Sequence, residues 1–568
     1  MSHSRRRSHF DHGSRARGLP PSGPPGKNVP VPPSHRPLGH TDSPPPGGER
    51  GKRASGPRHW HAPIPTFARR RRSSTTATAS TRTTTATSTT APAEPSSSPS
   101  TAPQTAGNPE TPRLLALLER WNLRSRLARA ARFTPARLAV VVFAGIIAVV
   151  TALLSLPIAT ADNRHASMID SLFTATSAVC VTGLTTVDTA TYWSPFGQAV
   201  IILGAAVGGL GIMTLASLLS FAVSRHVGLT QRMMAASENQ SRLGDVAALL
   251  RAVIYTALGA ETLLALILLP RFLTLGLDLG HACWYALFMA LSIFNNAGFV
   301  ILPEGLAPYA TDWWMGVPIA VGTFVGAVGF PVILDVVRHL RRPRQWTLHT
   351  KLTLATYTAL SAVSALAIAA FEWTNPRTYG ALPTGGKLLT ALINGVNARS
   401  SGLSTITPEH MREATWFLQD ALMFVGGGSA STAGGIKVTT FAILVLAILA
   451  EARGDRDIEA FGRRITLSSV RLSVAVAFIG ASIIGTATLL MLEMTNLTLD
   501  RILFEVVSAF ATVGLSTGIT PLLPTSAKYV IVVLMFVGRV GTMTAATALA
   551  MRERRRVIRM PAERPLIG

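Results

Sequence analysis

The 568-residue sequence has few charged side chains and very few cysteines. Only 14% of the residues are charged whereas 48% are hydrophobic, which is typical of a membrane protein when the apolar residues are clustered. Cys180 and Cys283 are the two cysteines, 103 residues apart in apolar segments. This spacing favours neither a disulfide framework nor a metal site, and we predict that both are small buried hydrophobic residues.

Catalytic patterns are also missing. The sequence has no nucleophile beside an arranged base, no cluster of metal ligands and no GxGxxG turn after a strand. A membrane enzyme or an ATP-driven pump would need a soluble catalytic domain of about 100 residues or more, and none is recognisable. We therefore expect no enzyme activity and no cofactor in this chain, so that any control by a nucleotide comes from another subunit.

Residues 1–110 are rich in Pro, Ser, Thr, Gly and Arg and cannot bury enough apolar surface to offset their chain entropy, so we predict a disordered tail. The tail carries 16 Lys and Arg against 5 Asp and Glu, and a basic segment, 111–137, follows it. Nucleic-acid binding is one interpretation, but no aromatic interleaving or fold motif supports it. Contact with anionic lipid headgroups is the interpretation we adopt. No signal peptide is expected, because the first apolar run begins only near Leu138.

Past residue 137, eight apolar runs each approach or exceed the ~20 residues that span a bilayer. They are 138–159, 195–223, 247–275, 314–337, 350–371, 415–450, 466–492 and 525–551. We predict an all-α membrane protein with eight transmembrane helices.

The eight runs form four successive pairs. A shorter helical segment that ends in a glycine turn lies between the two runs of each pair. Gly183, Gly298, Gly402 and Gly514 mark the four turns, at intervals of 115, 104 and 112 residues. Such a recurring interval indicates an internal repeat of helix, half-helix, turn and helix around a central pore. The predicted divisions are repeat 1 (138–225), repeat 2 (247–340), repeat 3 (350–450), repeat 4 (466–551) and a basic cytoplasmic tail (552–568).

Lysine and arginine predict the orientation of these repeats. The connector after each repeat is basic, whereas the segments "VILPEGLAPYATD" and "EMTNLTLD" beside the second and fourth turns hold acids and no Lys or Arg. The positive-inside rule then places both termini in the cytoplasm and opens the turns outward.

The glycine turns suit a dehydrated cation. Irregular backbone at membrane depth is tolerated where protein buries it or where it lines a watery cavity, and glycine lets carbonyls face inward. A half-helix also points its negative C-terminal end toward the membrane centre, which favours a cation there. The sequence Thr512-Val513-Gly514-Leu515-Ser516 is close to the TVGYG potassium filter.

In combination, several motifs resemble the membrane subunit of the bacterial Trk/Ktr potassium uptake systems, which are relatives of the plant HKT transporters. They cover most of the apolar part, from about 138 to 551, and the absence of an extra leading helix pair makes the chain more similar to Ktr. The motifs are "DSLFTATSAVCVTGLTTVDT", "NNAGF", "NARSSGLST", "GGGSASTAGGIKVTTF", "FEVVSAFATVGLSTG" and "GRVG".

The resemblance implies a four-fold pseudosymmetric pore whose ion filter is formed by the four turns. The filter residues are Val181, Thr182, Gly183, Asn296, Ala297, Gly298, Ser400, Ser401, Gly402, Thr512, Val513 and Gly514. In the HKT relatives a serine at the first glycine accompanies sodium preference, so glycine at all four positions favours potassium. Ser401 departs from the family, which more often has alanine there.

The stretch "FVGGGSASTAGGIKVTTFAILVL" interrupts an apolar run with glycines that each cost roughly 1 kcal/mol in a helix interior, so we predict a helix break between Gly426 and Gly435. A phosphate-binding loop fails, because the pattern GxxxxGK[ST] does not fit. A helix-packing face would need spaced small residues. We adopt an intramembrane loop whose hydroxyls and amides are satisfied by a water-filled pore.

In the family this loop is the gate. The resemblance carries that role to Gly426, Gly427, Gly428, Ser429, Ser431, Thr432, Gly434, Gly435 and Lys437. Arg539 lies within an apolar run, where a charge is costly, so we expect it to face the pore or a carboxylate. A positive residue at the matching family position lines the ion path below the filter.

Four other polar residues are left with open roles. Asp170 and Glu505 begin their half-helices, which is favourable for capping alone, and an ion-path role remains the alternative. Asn295 and Asn296 either coordinate the ion or brace their turn.

Together these features predict uptake of K+ across the plasma membrane, with a sodium-selective or sodium-coupled transporter of the same fold as the alternative. No resident metal is expected beyond the transported ion. The resemblance further implies a homodimer in the lipid membrane and a cytosolic nucleotide-binding regulatory subunit of the RCK type. No nucleic-acid partner is expected.

Overall fold

The computed structural model describes residues 135–225 and 246–541, together with Thr544, Pro561 and Glu563. The tail 1–110, residues 111–134 and nearly all of 552–568 lie outside the described residues, so the predictions about them stay predictions. The described chain is mostly helical. The exception is a hairpin of β1 (Ile458–Ala460) and β2 (Arg463–Ile465), which departs from the all-α prediction.

Fourteen α-helices follow one another in the described residues. They are α1 (Pro135–Leu154), α2 (Met168–Val179), α3 (Pro195–Arg225), α4 (Val246–Thr274), α5 (Leu279–Asn295), α6 (Trp313–Val328), α7 (Phe330–Arg338), α8 (Leu348–Glu372), α9 (Thr384–Asn397), α10 (Glu413–Phe424), α11 (Val438–Arg453), α12 (Leu467–Met494), α13 (Leu499–Ala511) and α14 (Thr525–Phe536).

Four of the described helices are long and apolar enough to cross a membrane. The number rises to five if the bent pair α6 and α7 is counted as one span. The four contain Pro195–Leu215, Arg251–Thr274, Leu348–Glu372 and Leu467–Met494. The count of eight therefore stays a prediction.

The four short helices predicted before the glycines are present as α2, α5, α9 and α13. Each is enclosed by other helices: α2 packs against α1, α3 and α14, whereas α13 packs against α10, α12 and α14. Helix α5 contacts α3, α4 and α6, and α9 contacts α6 and α8. This enclosure carries the C-terminal ends of the short helices into the protein interior.

The apolar run 314–337 is not one helix, because it bends by 97° between α6 and α7. Gly329 has a φ of 93° at the bend, a conformation that glycine adopts at little cost. Pro331 follows and has no backbone N–H, so a straight helix would lose a hydrogen bond there. These two residues explain why length and hydropathy alone mispredict this segment.

The predicted break in the run 415–450 is confirmed, since α10 ends at Phe424 and α11 begins at Val438. The last apolar run also changes form: α14 is followed by a π-helical turn, Val537–Gly541, which contains Arg539.

Candidate functional site: a ring of glycine turns and the 426–437 loop

The four glycine turns, residues 181–183, 296–298, 400–402 and 512–514, come together as turns 1 to 4. Gly183, Gly298, Gly402 and Gly514 all have positive φ, between 64° and 95°. Three turns also have a left-handed residue two positions earlier, namely Val181, Asn296 and Thr512. For β-branched Val181 and Thr512 this conformation is strained, and such strain is held in place only by surrounding structure.

Each glycine lies against the backbone of the next turn, and the fourth lies against the first, so that the four turns form a ring. A Cβ placed on Gly183 would lie 2.6 Å from the Ala297 carbonyl oxygen in turn 2, and one on Gly298 would lie 2.6 Å from the Ser401 carbonyl oxygen in turn 3. A Cβ on Gly402 would meet the Val513 carbonyl oxygen of turn 4 at 2.5 Å. One on Gly514 would overlap the Thr182 carbonyl oxygen of turn 1, which closes the ring.

A serine six residues before the glycine supports three of the turns. The hydroxyl oxygens of Ser177 and Ser508 accept from Gly183 N–H (3.0 Å) and Gly514 N–H (3.1 Å). In turn 2 the Ser292 hydroxyl donates to the Phe299 carbonyl at 2.7 Å. The sequence analysis missed these serines, although their constant distance from the glycine is visible in the sequence.

Turn 3 is built differently. Asn397 lies five residues before its glycine rather than six, and its amide donates to the Leu403 carbonyl at 2.7 Å. With one residue fewer, Ser400 does not take the left-handed conformation of the other turns. The Ser401 hydroxyl is buried without a partner among the described residues. The hydroxyls of Thr182 in turn 1 and Thr512 in turn 4 are likewise buried without a described partner, so Ser401 adds one such oxygen to turn 3.

The turn carbonyls are suited to a dehydrated cation. Among the described residues, no hydrogen bond ends on the carbonyl oxygens of Thr182, Ala297, Ser401 or Val513. Buried carbonyls without protein donors are costly unless another partner takes their place. A ring of such oxygens can replace the hydration shell of an alkali ion.

The 426–437 loop closes on itself between α10 and α11. Val425 and Ile436 form a bridge, and Gly426 N–H donates to the Ile436 carbonyl at 2.9 Å. Gly426 packs so closely on Gly434 that a Cβ would overlap its carbonyl oxygen, which accounts for small residues at both ends. Lys437 donates from Nζ to the Ala433 carbonyl at 2.7 Å.

The same loop contacts turns 2 and 4, which lie on opposite sides of the ring. The Thr432 Oγ1 and the Asn296 side-chain amide of turn 2 are 2.6 Å apart. At Gly434 a Cβ would overlap Oγ1 of Thr512 in turn 4 and lie 2.7 Å from the Ala511 carbonyl oxygen. The predicted gate residues therefore lie directly against the predicted filter residues.

The loop hydroxyls have protein partners in this structure, and their contact with a water-filled pore stays a prediction. The Ser431 hydroxyl donates to the Gly428 carbonyl at 2.7 Å, and the hydroxyls of Ser429 and Thr439 are 3.2 Å apart. Thr432 has its partner in Asn296. The hydroxyls find protein partners because the loop folds back on itself and onto turn 2, and neither contact is visible from composition.

Arg539 is 2% exposed, and its Nη1 donates to the Thr432 carbonyl oxygen of the loop. Its Nε and Nη2 have no partner among the described residues, and no described carboxylate forms a salt bridge with it. Of the two expectations, a carboxylate partner is thus wrong for the described chain. The contact instead joins the π-helical turn to the loop.

The four other polar candidates have different positions and partners. Asp170 lies in the first turn of α2, but the capping side chain is that of Ser167, whose hydroxyl accepts from the Asp170 N–H at 3.2 Å, so the role of the Asp170 carboxylate stays a prediction. Glu505 does not begin its half-helix: it lies inside α13, is fully buried and accepts from Thr520. Asn295 donates to Glu261 of α4 at 2.7 Å, and Asn296 braces its turn against the loop.

Comparison with known proteins identifies a family and related transporters. A family model described as TrkH, cation transport protein, matches residues 123–558. The Ktr system potassium uptake protein B of Bacillus subtilis is 37% identical over 423 residues, which are 74% of this chain and 94% of that protein. The potassium/sodium uptake protein NtpJ of Enterococcus hirae is 33% identical over 435 residues, covering 75% of this chain and 94% of that protein.

Among solved structures, the potassium transporter TrkH from Vibrio parahaemolyticus has a similar fold. The TM-score is 0.54 at 18% identity, and the match covers 71% of this chain and 83% of that one. The apolar helices of the present chain, together with the family match, make it a multi-pass membrane protein and a transporter rather than an enzyme. The chain belongs to the TrkH family of cation transport proteins.

Proposed function

We propose that this chain takes up potassium across the plasma membrane through the ring of glycine turns. The observation that carries the proposal is the closed contact order of Gly183, Gly298, Gly402 and Gly514, with turn carbonyls that accept no described hydrogen bond. The names of the curated relatives, a Ktr potassium uptake protein and a potassium/sodium uptake protein, support the same activity.

The architecture proposed for this activity is four pseudo-repeats around one pore, with eight spanning helices. The order of a longer helix, a short enclosed helix and a glycine turn supports it, as does the ring order of the turns. The basic residues at the ends of the repeats, including Arg338 and Arg453 at the C-terminal ends of α7 and α11, support cytoplasmic termini and turns that open outward.

In this mechanism an ion sheds its water at the four turns and exchanges it for backbone carbonyls. Ser177 and Ser508 keep two of the turns in register by accepting from the glycine N–H groups. The C-terminal ends of the short helices add a negative potential at the same place.

The 426–437 loop is proposed as the gate. Its contacts with turns 2 and 4 support a position across the ion path on the inner side of the ring. Arg539 would hold the loop through the Thr432 carbonyl and oppose cations with its charge. Opening would release these contacts, and the glycines make a second loop conformation inexpensive.

Sodium transport is the second candidate. The unpartnered Ser401 hydroxyl in turn 3 favours it, because an added oxygen near the ring suits a smaller ion, as does the name of the Enterococcus hirae relative. Glycine at all four ring positions favours potassium.

The proposed partners are a second copy of this chain, membrane lipid and a cytosolic nucleotide-binding regulatory subunit of the RCK type. The name of the Bacillus subtilis relative, protein B of a Ktr system, supports a multi-component assembly. The basic connectors are the proposed docking surface, and the 1–110 tail is proposed to lie on anionic lipid.

The deciding experiment measures rubidium and sodium uptake in bacteria that lack their own potassium uptake systems, with and without this chain. We expect rubidium uptake that added potassium inhibits and added sodium does not. Sodium uptake of equal rate would favour the second candidate. No uptake of either ion, alone or with a co-expressed regulatory subunit, would refute the proposal.

A further inference from the structure

The side chain of Asn296 enters the hydrogen-bond ladder of helix α6. In the amide orientation that satisfies every neighbour, Nδ2 donates to the Thr323 carbonyl (3.2 Å) and Oδ1 accepts from the Ala327 N–H (3.2 Å). These two backbone groups are an i, i+4 pair, the partners of one helical turn. A side chain inserted into the ladder is a recognised cause of a helix bend, and the 97° bend begins at Gly329, two residues later.

The 426–437 loop supplies the partners that the bend leaves open. Pro331 has no N–H to offer the Ala327 carbonyl, which instead accepts from Gly428 N–H at 2.8 Å. The Phe330 N–H donates to the Ala430 carbonyl (3.3 Å), and Thr432 N–H donates to the Gly326 carbonyl (3.4 Å). The loop thus serves as the cap of a broken helix, and the bend and the loop position stabilise each other.

Thr432 then connects this assembly to the ring. Its Oγ1 lies 2.6 Å from the Asn296 amide in either orientation of that amide. Asn296 is itself the left-handed residue of turn 2, with a φ of 57°. A single side chain is therefore bonded to the bend of α6 and to the loop, while its backbone forms part of the ring.

We propose that Asn296, held by the Thr432 hydroxyl, is a positioning residue that makes the ion selectivity of the ring depend on the position of the 426–437 loop. The inference rests on the proposed function, in which the ring selects and the loop gates. Because coupling is reciprocal, a ring occupied by its preferred ion also stabilises the loop position that holds Asn296. Discrimination between ions is then a property of the ring and the loop together.

The test compares Thr432→Val with Ser431→Ala in the full chain, expressed with its regulatory subunit in bacteria lacking potassium uptake. Both variants remove one loop hydroxyl, but Ser431 bonds only within the loop, to Gly428. We expect Thr432→Val to lower the ratio of rubidium to sodium uptake about five-fold, the effect of one hydrogen bond. Because Ser431 belongs to the proposed gate but contacts no turn, any effect of Ser431→Ala should change both uptake rates alike and leave their ratio as it is, and Thr432→Ser should restore the ratio.

A double-mutant comparison assigns the effect to Asn296. Asn296→Gly keeps the left-handed backbone accessible while removing the amide. It should lower the ratio as Thr432→Val does, and adding Thr432→Val should lower it no further. Immunoblots of the membrane fraction correct each rate for the amount of protein.

The outcomes separate this inference from the function beneath it. If Thr432→Val raises rubidium and sodium uptake equally, leaving their ratio unchanged, the loop gates without affecting selectivity and the inference is overturned. Additive losses in the double variant would overturn it as well. If Gly183→Ser also leaves the ratio unchanged, the ring does not select ions and the proposed function itself fails.

Discussion

At the residue scale, Gly183 occupies a position that admits no side chain. Its φ is 90°, and a Cβ would lie 2.6 Å from the Ala297 carbonyl oxygen and 2.9 Å from Gly298 Cα. A side chain here would push turn 2 as well as strain turn 1. Gly276, after α4, has a similar φ of 84° with nothing within 4 Å, so it offers the same backbone with open space.

Gly183→Ala should therefore reduce the preference for rubidium over sodium at least roughly ten-fold, because strain of about 1–3 kcal/mol falls on the ring itself. Gly276→Ala carries the backbone strain without the contact and should keep the preference. Initial uptake rates of both ions measure it. Equal effects of the two substitutions would show that strain alone, and not the ring contact, is responsible.

Glu372 gives a second prediction at this scale, for stability. The carboxylate is fully buried and accepts from Arg412 N–H (2.9 Å), Asn375 (2.6 Å), Thr378 (2.7 Å) and Thr415. Glu372→Gln turns an acceptor into a donor facing donors, which should cost about 2 kcal/mol or more. Thermal unfolding in detergent should show a lower midpoint than exposed Glu304→Gln, and an unchanged midpoint would contradict the assignment.

At the element scale, the bend between α6 and α7 is the support of the 426–437 loop. A residue with an N–H at position 331 would offer the Ala327 carbonyl its helical partner and compete with Gly428. The loop would lose one of the bonds that hold it against the ring.

Pro331→Ala should accordingly raise resting rubidium uptake, by about five-fold if one hydrogen bond is lost. Pro318→Ala is the matched control, because it removes a proline from the interior of α6 away from the loop. Uptake is compared without the regulatory subunit, a condition in which the proposed gate acts by itself. A rate for Pro331→Ala no higher than that of Pro318→Ala would mean that the bend does not hold the loop.

At the scale of the whole molecule, an exposed cysteine allows the proposed orientation of the chain in the membrane to be tested. Cys180 is buried, as predicted, whereas Cys283 is exposed, so that prediction is wrong for the second residue. Cys283 lies in the second turn of α5, near the end that is proposed to start at the outer surface.

A membrane-impermeant maleimide should therefore label the unmodified protein in intact cells at Cys283, and Cys283→Ser should abolish the label. His281→Cys in that background adds a thiol at a side chain that is 69% exposed, closer to the helix start. Labelling of that variant only in inside-out vesicles would reverse the proposed orientation.

Local physical chemistry made several elements predictable from the sequence. Three consecutive glycines, 426–428, and a second pair at 434–435 make the stretch between them a poor helix former, so the end of α10 at Phe424 and the start of α11 at Val438 were predicted. The short helices before Gly183 and its three counterparts also follow from local pattern and spacing. Even the missed support by Ser177 and Ser508 lies within six residues of its glycine.

The contacts that close the site depend instead on residues that are far apart in the sequence, such as Asn296 and Thr432. The sequence determined which segments are helical, that the run 415–450 breaks and which turns admit only glycine, because these are properties of a few neighbouring residues. Only the tertiary structure decided that Thr432 meets Asn296, that Arg539 meets the Thr432 carbonyl and that α6 bends onto the loop. Those partners are chosen by enclosure of unsatisfied backbone groups, which no local pattern records.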